Sequence, residues 1–139
     1  MIVADTNVVS YLLINGIYSD EAARIIEKDS DWVVPPLFFS EFRNVLSMYL
    51  RHRDMQLSES YAIMRQAELL MKGKIVEVQS VPILSLLAAS NCSAYDCEFV
   101  ALAHQLRVPL VTYDKKILRE FPETAVSPSS FLARPDRFD

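Results

Sequence analysis

Four acidic residues in this sequence are placed where a shared site could form. Asp5 follows a short apolar run at the start of the chain, Asp114 follows another near its end, and Glu41 and Asp96 lie in the first turns of predicted helices. Converging carboxylates repel one another unless a cation or protons lie between them. Hard cations such as Mg²⁺ prefer oxygen ligands. A cation held in this way lowers the pKa of a bound water, which promotes hydrolysis of a phosphodiester without a nucleophile from the protein.

The elements that would position these acids alternate between strand and helix. Short apolar runs predict buried strands at 1–4, 32–34, 75–78 and 110–112, and a weaker one at 125–126. Segments with helical spacing of apolar residues separate them. This alternation predicts an α/β fold: a three-layer α/β/α sandwich with a mostly parallel sheet of four or five strands. Strand carboxyl ends and the amino ends of the following helices share one edge of such a sheet, and all four acids are predicted at that edge.

Length and composition predict one compact domain. The 139 residues are 51% hydrophobic, which excludes disorder, and we expect a single domain over 1–139 with a polar carboxyl-terminal tail from about 128. The longest uncharged tract, 78–95, contains Pro, Asn, Gln and Ser, so no membrane span is expected. The amino terminus does not resemble a secretory signal, and two cysteines without nearby His make neither a disulfide framework nor a zinc site. These features predict a cytoplasmic protein.

Net charge at first disfavours an anionic partner. The formal charge is −4. If the four acids are neutralised by metal, however, the remaining acidic and basic residues are equal in number, and such a surface can hold a phosphate backbone.

Each acid also has a purely structural explanation. Asp5 and Asp114 could cap the helices that follow them, Asp96 could complete a capping box with Ser93, and Glu41 could lie on a solvated helix face. For one acid alone this explanation is favoured, because helix starts are rich in Asp. For four acids on one edge it is not, because capping does not require them to converge.

The ordered set of acids and their neighbours resembles the PIN-domain ribonucleases, and closely the VapC-type toxins among them. The resemblance runs from the strand-Asp-Thr-Asn opening at 1–7 through SEFRNVL at 40–46 and SAYDCEFVALA at 93–103 to LVTYDKKIL at 110–118. It implies that Asp5, Glu41, Asp96 and Asp114 surround one or two divalent cations, usually Mg²⁺ or Mn²⁺. It also implies that Thr6 and Thr112 orient these carboxylates, and that Asn7 is a polar residue near the site.

The implied function is metal-dependent endoribonuclease activity on RNA, with the protein as the toxin of a toxin-antitoxin pair. Relatives of this type are neutralised by a small antitoxin and commonly form homodimers. The helices over 36–72 carry more large apolar residues than one side of a small sheet needs, which suits either partner. Lys115, Lys116 and Arg43 are candidate RNA contacts, although each could be an ordinary surface charge.

Other classes are possible. A PIN-like RNA- or protein-binding module without activity, or a housekeeping RNA-processing nuclease, is the main alternative, and the intact set of four acids counts against an inactive module. A receiver-type signalling domain would need an acidic pair after the first strand. A phosphatase with an aspartate nucleophile would need a second Asp where Asn7 stands.

Overall fold

Four strands and eight helices make up residues 1–136, the part of the chain that the computed structural model describes. In chain order these elements are β1 (Ile2–Ala4), α1 (Thr6–Leu13), α2 (Ser19–Lys28), β2 (Trp32–Val33), α3 (Leu37–His52), α4 (Leu57–Leu70), α5 (Ser80–Ala88), α6 (Ala94–Leu106), β3 (Leu110–Val111), α7 (Lys115–Glu120), β4 (Ala125–Val126) and α8 (Pro128–Ala133).

The sheet is parallel throughout and has the strand order β2-β1-β3-β4. In the centre, Val3 pairs with Val33 of β2 on one side and with Leu110 of β3 on the other. All strand residues are buried, as expected for a parallel sheet covered by helices. The predicted α/β/α sandwich with a parallel sheet is confirmed. Because β1 and β3 are neighbours, the residues that follow them lie side by side.

The strand predicted at 75–78 is wrong. Only Ile75 bridges to the sheet, opposite Val34, and the backbone N–H of Val76 donates to the carbonyl of Val34 at 3.0 Å. Val34 is followed by Pro35 and Pro36, which have no backbone N–H to donate. The pairing therefore stops after one bridge, and the described sheet has four strands.

The structure describes residues 128–136 of the polar tail predicted from about 128, and the first part of it is helical. Residues Pro128–Ala133 form α8, which packs against α2 and buries Phe131. The ammonium group of Lys28 donates to the carbonyls of Phe131 at 2.9 Å and Leu132 at 3.3 Å, so it caps the carboxyl end of this short helix. Residues 137–139 of the predicted tail lie outside the described part of the chain.

Packing of α3 and α6 sets the positions of two of the four acids. The stripe Phe38, Phe42 and Leu46 is buried against the core, which fixes the rotation of α3 about its axis. Helix α6 is buried along much of its length and contacts both β1 and β3. None of the helices within residues 1–136 is long and apolar enough to cross a membrane.

Candidate active site

Asp5 and Thr112 lie together at the carboxyl ends of the two central strands. Strand β1 ends at Ala4 and β3 ends at Val111, and the backbone N–H of Asp5 donates to the carbonyl of Val111 at 3.0 Å. Both side chains are buried. The Thr112 hydroxyl donates to Asp5 Oδ2 at 2.6 Å. The predicted convergence at this edge of the sheet therefore begins with a direct contact between residues more than a hundred positions apart.

Thr112 and Asn7 connect Asp5 to the Asp114 segment. The Thr112 hydroxyl oxygen accepts from the backbone N–H of Asp114 at 2.9 Å. The Asn7 amide donates to Thr112 Oγ1 at 3.4 Å and to Asp5 Oδ2 at 3.5 Å, and its carbonyl oxygen accepts from the backbone N–H of Tyr113 at 3.3 Å. These contacts hold the loop after β3 against the start of α1, and they place the Thr112 hydroxyl and the Asn7 amide against the Asp5 carboxylate.

Glu41 reaches the same site through Thr6. The Thr6 hydroxyl donates to Glu41 Oε1 at 2.7 Å, and α1 contacts α3. The backbone N–H of Thr6 also donates to Asp5 Oδ1 at 2.8 Å. One threonine thus contacts two of the four acids, one through its backbone and one through its side chain.

Asp96 does not complete a capping box with Ser93. Ser93 is the cap of α6, and its hydroxyl accepts from the backbone N–H of Asp96 at 3.1 Å. Within residues 1–136 the reciprocal bond, from the Ser93 backbone to the Asp96 carboxylate, is not formed. The Asp96 carboxylate is therefore left for the cleft.

Asp114, in contrast, does cap a helix. Its Oδ1 accepts from the backbone N–H groups of Lys116 at 2.8 Å and Ile117 at 3.0 Å, at the start of α7. Its other oxygen is not used in these bonds. The capping explanation is thus correct for one oxygen of Asp114, and it leaves the second oxygen free to act as a ligand.

A cleft of about 540 Å³ joins the four acids. Its lining includes all of them together with Thr6 and Asn7, but none of the predicted RNA contacts. Arg43, Lys115 and Lys116 are exposed. The Arg43 guanidinium donates to the hydroxyl of Ser40, a lining residue, at 3.4 Å, and the backbone N–H of Lys116 donates to Asp114 Oδ1 at 2.8 Å. Five further residues line the cleft that were not predicted as site residues from the sequence: Leu37, Ser40, Asn44, Val45 and Tyr95.

The residues missed on α3 follow a simple spacing. Together with Glu41 they occupy positions 37, 40, 41, 44 and 45, which fall on one face of a helix. Once Glu41 is taken as a site residue, this spacing identifies its companions. Tyr95 had only one signal, its place beside Asp96.

Burial and mutual repulsion change the ionisation of the acids. The pKa of Asp5 is raised to about 7, and burial is the largest cause. The negative charges of Glu41 and Asp96 raise it further, while the hydrogen bonds from Thr112 and Thr6 lower it. Burial also raises the pKa of Glu41, and the charge of Asp96 adds to the effect. A nearby cation stabilises the ionised form of carboxylates that are buried and close together, because it offsets both the cost of burial and the repulsion between them.

The donor set suits a hard divalent cation, although the carboxylates are not closed around one point. All four charged groups of the cleft are carboxylates, the ligands that Mg²⁺ and Mn²⁺ prefer. Within residues 1–136 no three acidic, His or Cys side chains are close enough together to hold one metal ion as they stand. Mg²⁺ keeps several waters and binds through one or two carboxylates, so a partly open arrangement is compatible with it.

The raised pKa of Asp5 predicts how the stability of the metal-free protein depends on pH. The pKa of Asp5 is about 7 in the folded protein, compared with an ordinary value of 3.8. Protonation of Asp5 therefore favours the folded state. This contribution to stability is complete below about pH 3.8 and is lost as the pH rises through 7. With a chelator present, the melting temperature of Asp5→Asn minus that of the wild type should therefore increase from pH 5 to pH 8. The exposed Asp20 provides a control, since Asp20→Asn should show no such trend. A difference for Asp5→Asn that stays constant with pH would contradict the prediction.

Comparison with known proteins gives one family and one fold. Residues 2–123 match the family described as PIN domain. FitAcB from Neisseria gonorrhoeae has a TM-score of 0.70 and 17% identity, over 93% of this chain and 99% of that one. FitAB bound to an IR36 DNA fragment has a TM-score of 0.69 and 18% identity, over 99% and 100%. PAE2754 from Pyrobaculum aerophilum has a TM-score of 0.66 and 18% identity, over 96% and 97%. At these identities the three structures show a shared fold. Comparison with curated proteins gave no match.

Proposed function

The chain belongs to the PIN domain family, and from this premise we propose that it is a metal-dependent endoribonuclease that hydrolyses RNA phosphodiester bonds. The observation that carries the proposal is the cleft at the carboxyl ends of β1 and β3, whose lining, among residues 1–136, contains four carboxylates and no other charged group. Structural capping does not account for it, because the Asp96 carboxylate and one oxygen of Asp114 are free of capping bonds.

We propose that Asp5, Glu41, Asp96 and Asp114 hold Mg²⁺ or Mn²⁺. A bound divalent cation supplies an acidified water and neutralises charge on the phosphodiester. The protein's part is to bring these carboxylates together and to orient them. Because the raised pKa of Asp5 reflects burial and nearby negative charge, a cation would favour its ionised form.

The neighbouring polar residues fix the carboxylates in place. Thr112 donates to Asp5 and accepts from the Asp114 backbone, so it links two acids through one hydroxyl. Thr6 donates to Glu41, and Asn7 bridges Asp5 and Thr112. Residues that orient ligands in this way commonly change metal affinity or activity by roughly 10- to 100-fold when they are replaced.

Positive side chains near the cleft are proposed to contact the RNA backbone. Lys115 and Lys116 begin α7 directly after Asp114, and Arg43 is bonded to Ser40 in the cleft lining. All three are exposed, as phosphate contacts must be.

The test is cleavage of a single-stranded RNA by the purified protein. We expect cleavage with Mg²⁺ or Mn²⁺ and none with a chelator, because the proposed nucleophile is a water that the cation acidifies. Equal cleavage with and without chelator would contradict metal dependence. RNA binding without cleavage in either metal would favour the alternative, a binding module without nuclease activity.

The proposed biological role is that of a cytoplasmic toxin controlled by a small antitoxin, and we propose that the protein forms a homodimer. The support is the family resemblance, the shared fold with FitAcB and FitAB, and exposed apolar side chains on α3 and α4. These are Met48 and Leu50 on α3 and Leu57 and Leu69 on α4. Exposed apolar patches commonly mark partner surfaces.

The exposed leucines of α4 predict that substitutions there change the oligomeric state. Leu57→Glu and Leu69→Glu together should convert a dimer to a monomer, because each places an unpaired charge in an apolar contact. Light scattering at micromolar concentration measures the mass directly. Two results together would contradict the proposed homodimer and the proposed antitoxin. These are a wild-type protein that is monomeric and the absence of inhibition by any antitoxin that a neighbouring gene encodes.

A further inference from the structure

The lining of the cleft has two chemically different parts. One part contains the four acids with Thr6 and Asn7. The other, which we call the neutral wall, contains no charged residue and consists of Leu37, Ser40, Asn44, Val45 and Tyr95. A site that only held a cation and a phosphate would not need an apolar and aromatic wall. The neutral wall therefore requires an explanation of its own.

Tyr95 is the most distinctive member of the neutral wall. Its side chain is 62% exposed although it lines a cleft, and within residues 1–136 its ring packs against no other aromatic ring. It lies in the first turn of α6, directly before Asp96 and two residues after the Ser93 cap. The core does not use this ring. Its position beside Asp96 places an aromatic ring in the cleft that the four carboxylates line.

The α3 side of the neutral wall adds apolar contact and an amide. Leu37 and Val45 are half-buried and pack against the core, so they form a fixed surface. Asn44 is exposed, and its side-chain oxygen accepts only a long bond of 3.4 Å from the Ser47 hydroxyl within residues 1–136. An amide of this kind has both donors and an acceptor for the edge of a base.

We infer that the neutral wall is a nucleobase subsite, in which Tyr95 stacks on an unpaired base beside the bond that is cut. This inference rests on the proposed nuclease function. Sequence-tolerant recognition of single strands uses aromatic side chains, because every base has a face on which a ring can stack. Bases of a duplex are already stacked and paired, so such a subsite selects single-stranded RNA, a loop or an end.

The cleavage test compares substitutions of Tyr95. Tyr95→Ala should lower kcat/KM for a short single-stranded RNA roughly 5- to 100-fold, mostly through KM, because it removes the stacking surface. Tyr95→Phe should stay close to wild type, since the ring is kept. Leu84→Ala is the matched control: Leu84 is 59% exposed on α5 and lies outside the cleft lining. Melting curves for all three variants should match the wild type, because neither side chain is part of the core.

A substrate lacking bases separates stacking from other roles. When the nucleotides on both sides of the cut carry no base, wild-type kcat/KM should fall by a factor similar to the effect of Tyr95→Ala on intact RNA. The substitution should then cause no further loss, because the ring has nothing left to contact. A loss in Tyr95→Ala that is equally large on the abasic RNA would mean that the ring does not contact a base.

Three other results would also overturn the subsite. These are unchanged kinetics in Tyr95→Ala, a loss of the same size in Tyr95→Phe, and an equal loss in Leu84→Ala. Unchanged RNA cleavage by Tyr95→Ala together with an altered molecular mass would identify the surface as a protein contact instead. Failure of the nuclease function itself is distinguishable, because in that case the wild-type protein would not cleave RNA at all.

Discussion

Asp5→Asn and Asp96→Asn should each lower the rate of metal-dependent RNA cleavage by more than about 100-fold. Asn keeps the size of the side chain and removes its charge, so the effect does not come from lost packing. Asp5 is buried and its Oδ2 accepts the 2.6 Å hydrogen bond from Thr112, which makes its position in the site closely defined. Asp96 has a carboxylate that its own helix cap does not use.

The control for this prediction is Asp20→Asn. Asp20 lies in the first turn of α2, is exposed, and does not belong to the cleft lining. Its substitution removes one negative charge from the protein while leaving the cleft unchanged, and cleavage should stay near the wild-type rate. Wild-type activity in both Asp5→Asn and Asp96→Asn would show that the cleft is not the active site.

Mn²⁺ should stabilise the wild-type protein much more than Asp96→Asn. A ligand that binds only the folded state stabilises it by mass action, about 2.7 kcal/mol at a hundredfold excess over its dissociation constant. For a chain of this size that is a rise in melting temperature of roughly 5 to 10 °C. Asp96→Asn lacks one of the carboxylates and should gain only a small part of this rise.

The same melting curves distinguish the metal site from a capping role. With chelator, Asp96→Asn should melt at the same temperature as the wild type or higher, because the charge of Asp96 acts unfavourably on both Asp5 and Glu41. Asp20→Asn should show the full Mn²⁺ shift. Equal Mn²⁺ shifts in Asp96→Asn and the wild type would mean that Asp96 does not help to bind the metal.

The main features of the site were predictable because the acids lie next to local sequence signals. Buried apolar runs mark β1 and β3, and a parallel sheet places the residues after these two strands at one edge. That rule alone predicts that Asp5 and Asp114 lie close together. The helix starts at Glu41 and Asp96 were predicted from capping residues and apolar spacing.

The errors came from features that depend on distant parts of the chain. The run 75–78 has a strand-like pattern, but its partner segment ends in two prolines, so it pairs only at Ile75. Helix α8, within the predicted polar tail, was not predicted, because it depends on the burial of Phe131 against α2 and on the cap that Lys28 provides at the helix end. Neither contact is visible from the local pattern.

The neutral wall was missed for a different reason. Leu37, Asn44 and Val45 fit an ordinary amphipathic helix, and Tyr95 fits an ordinary surface residue. Only the packing of α3 and α6 around one cleft shows that these residues share a surface with the acids. The electrostatic coupling of Asp5, Glu41 and Asp96 likewise requires the folded geometry, since it depends on burial and on charges from three separate segments.

The most direct measurement is the location of Mn²⁺ in crystals of the wild-type protein, from its anomalous scattering. The proposed function predicts a strong peak in the cleft, within ligand distance of carboxylate oxygens from Asp5, Glu41, Asp96 or Asp114, and no such peak in Asp5→Asn crystals grown in the same way. Well-ordered wild-type crystals that contain Mn²⁺ only at other surface positions would contradict the central proposal that this cleft is a metal site.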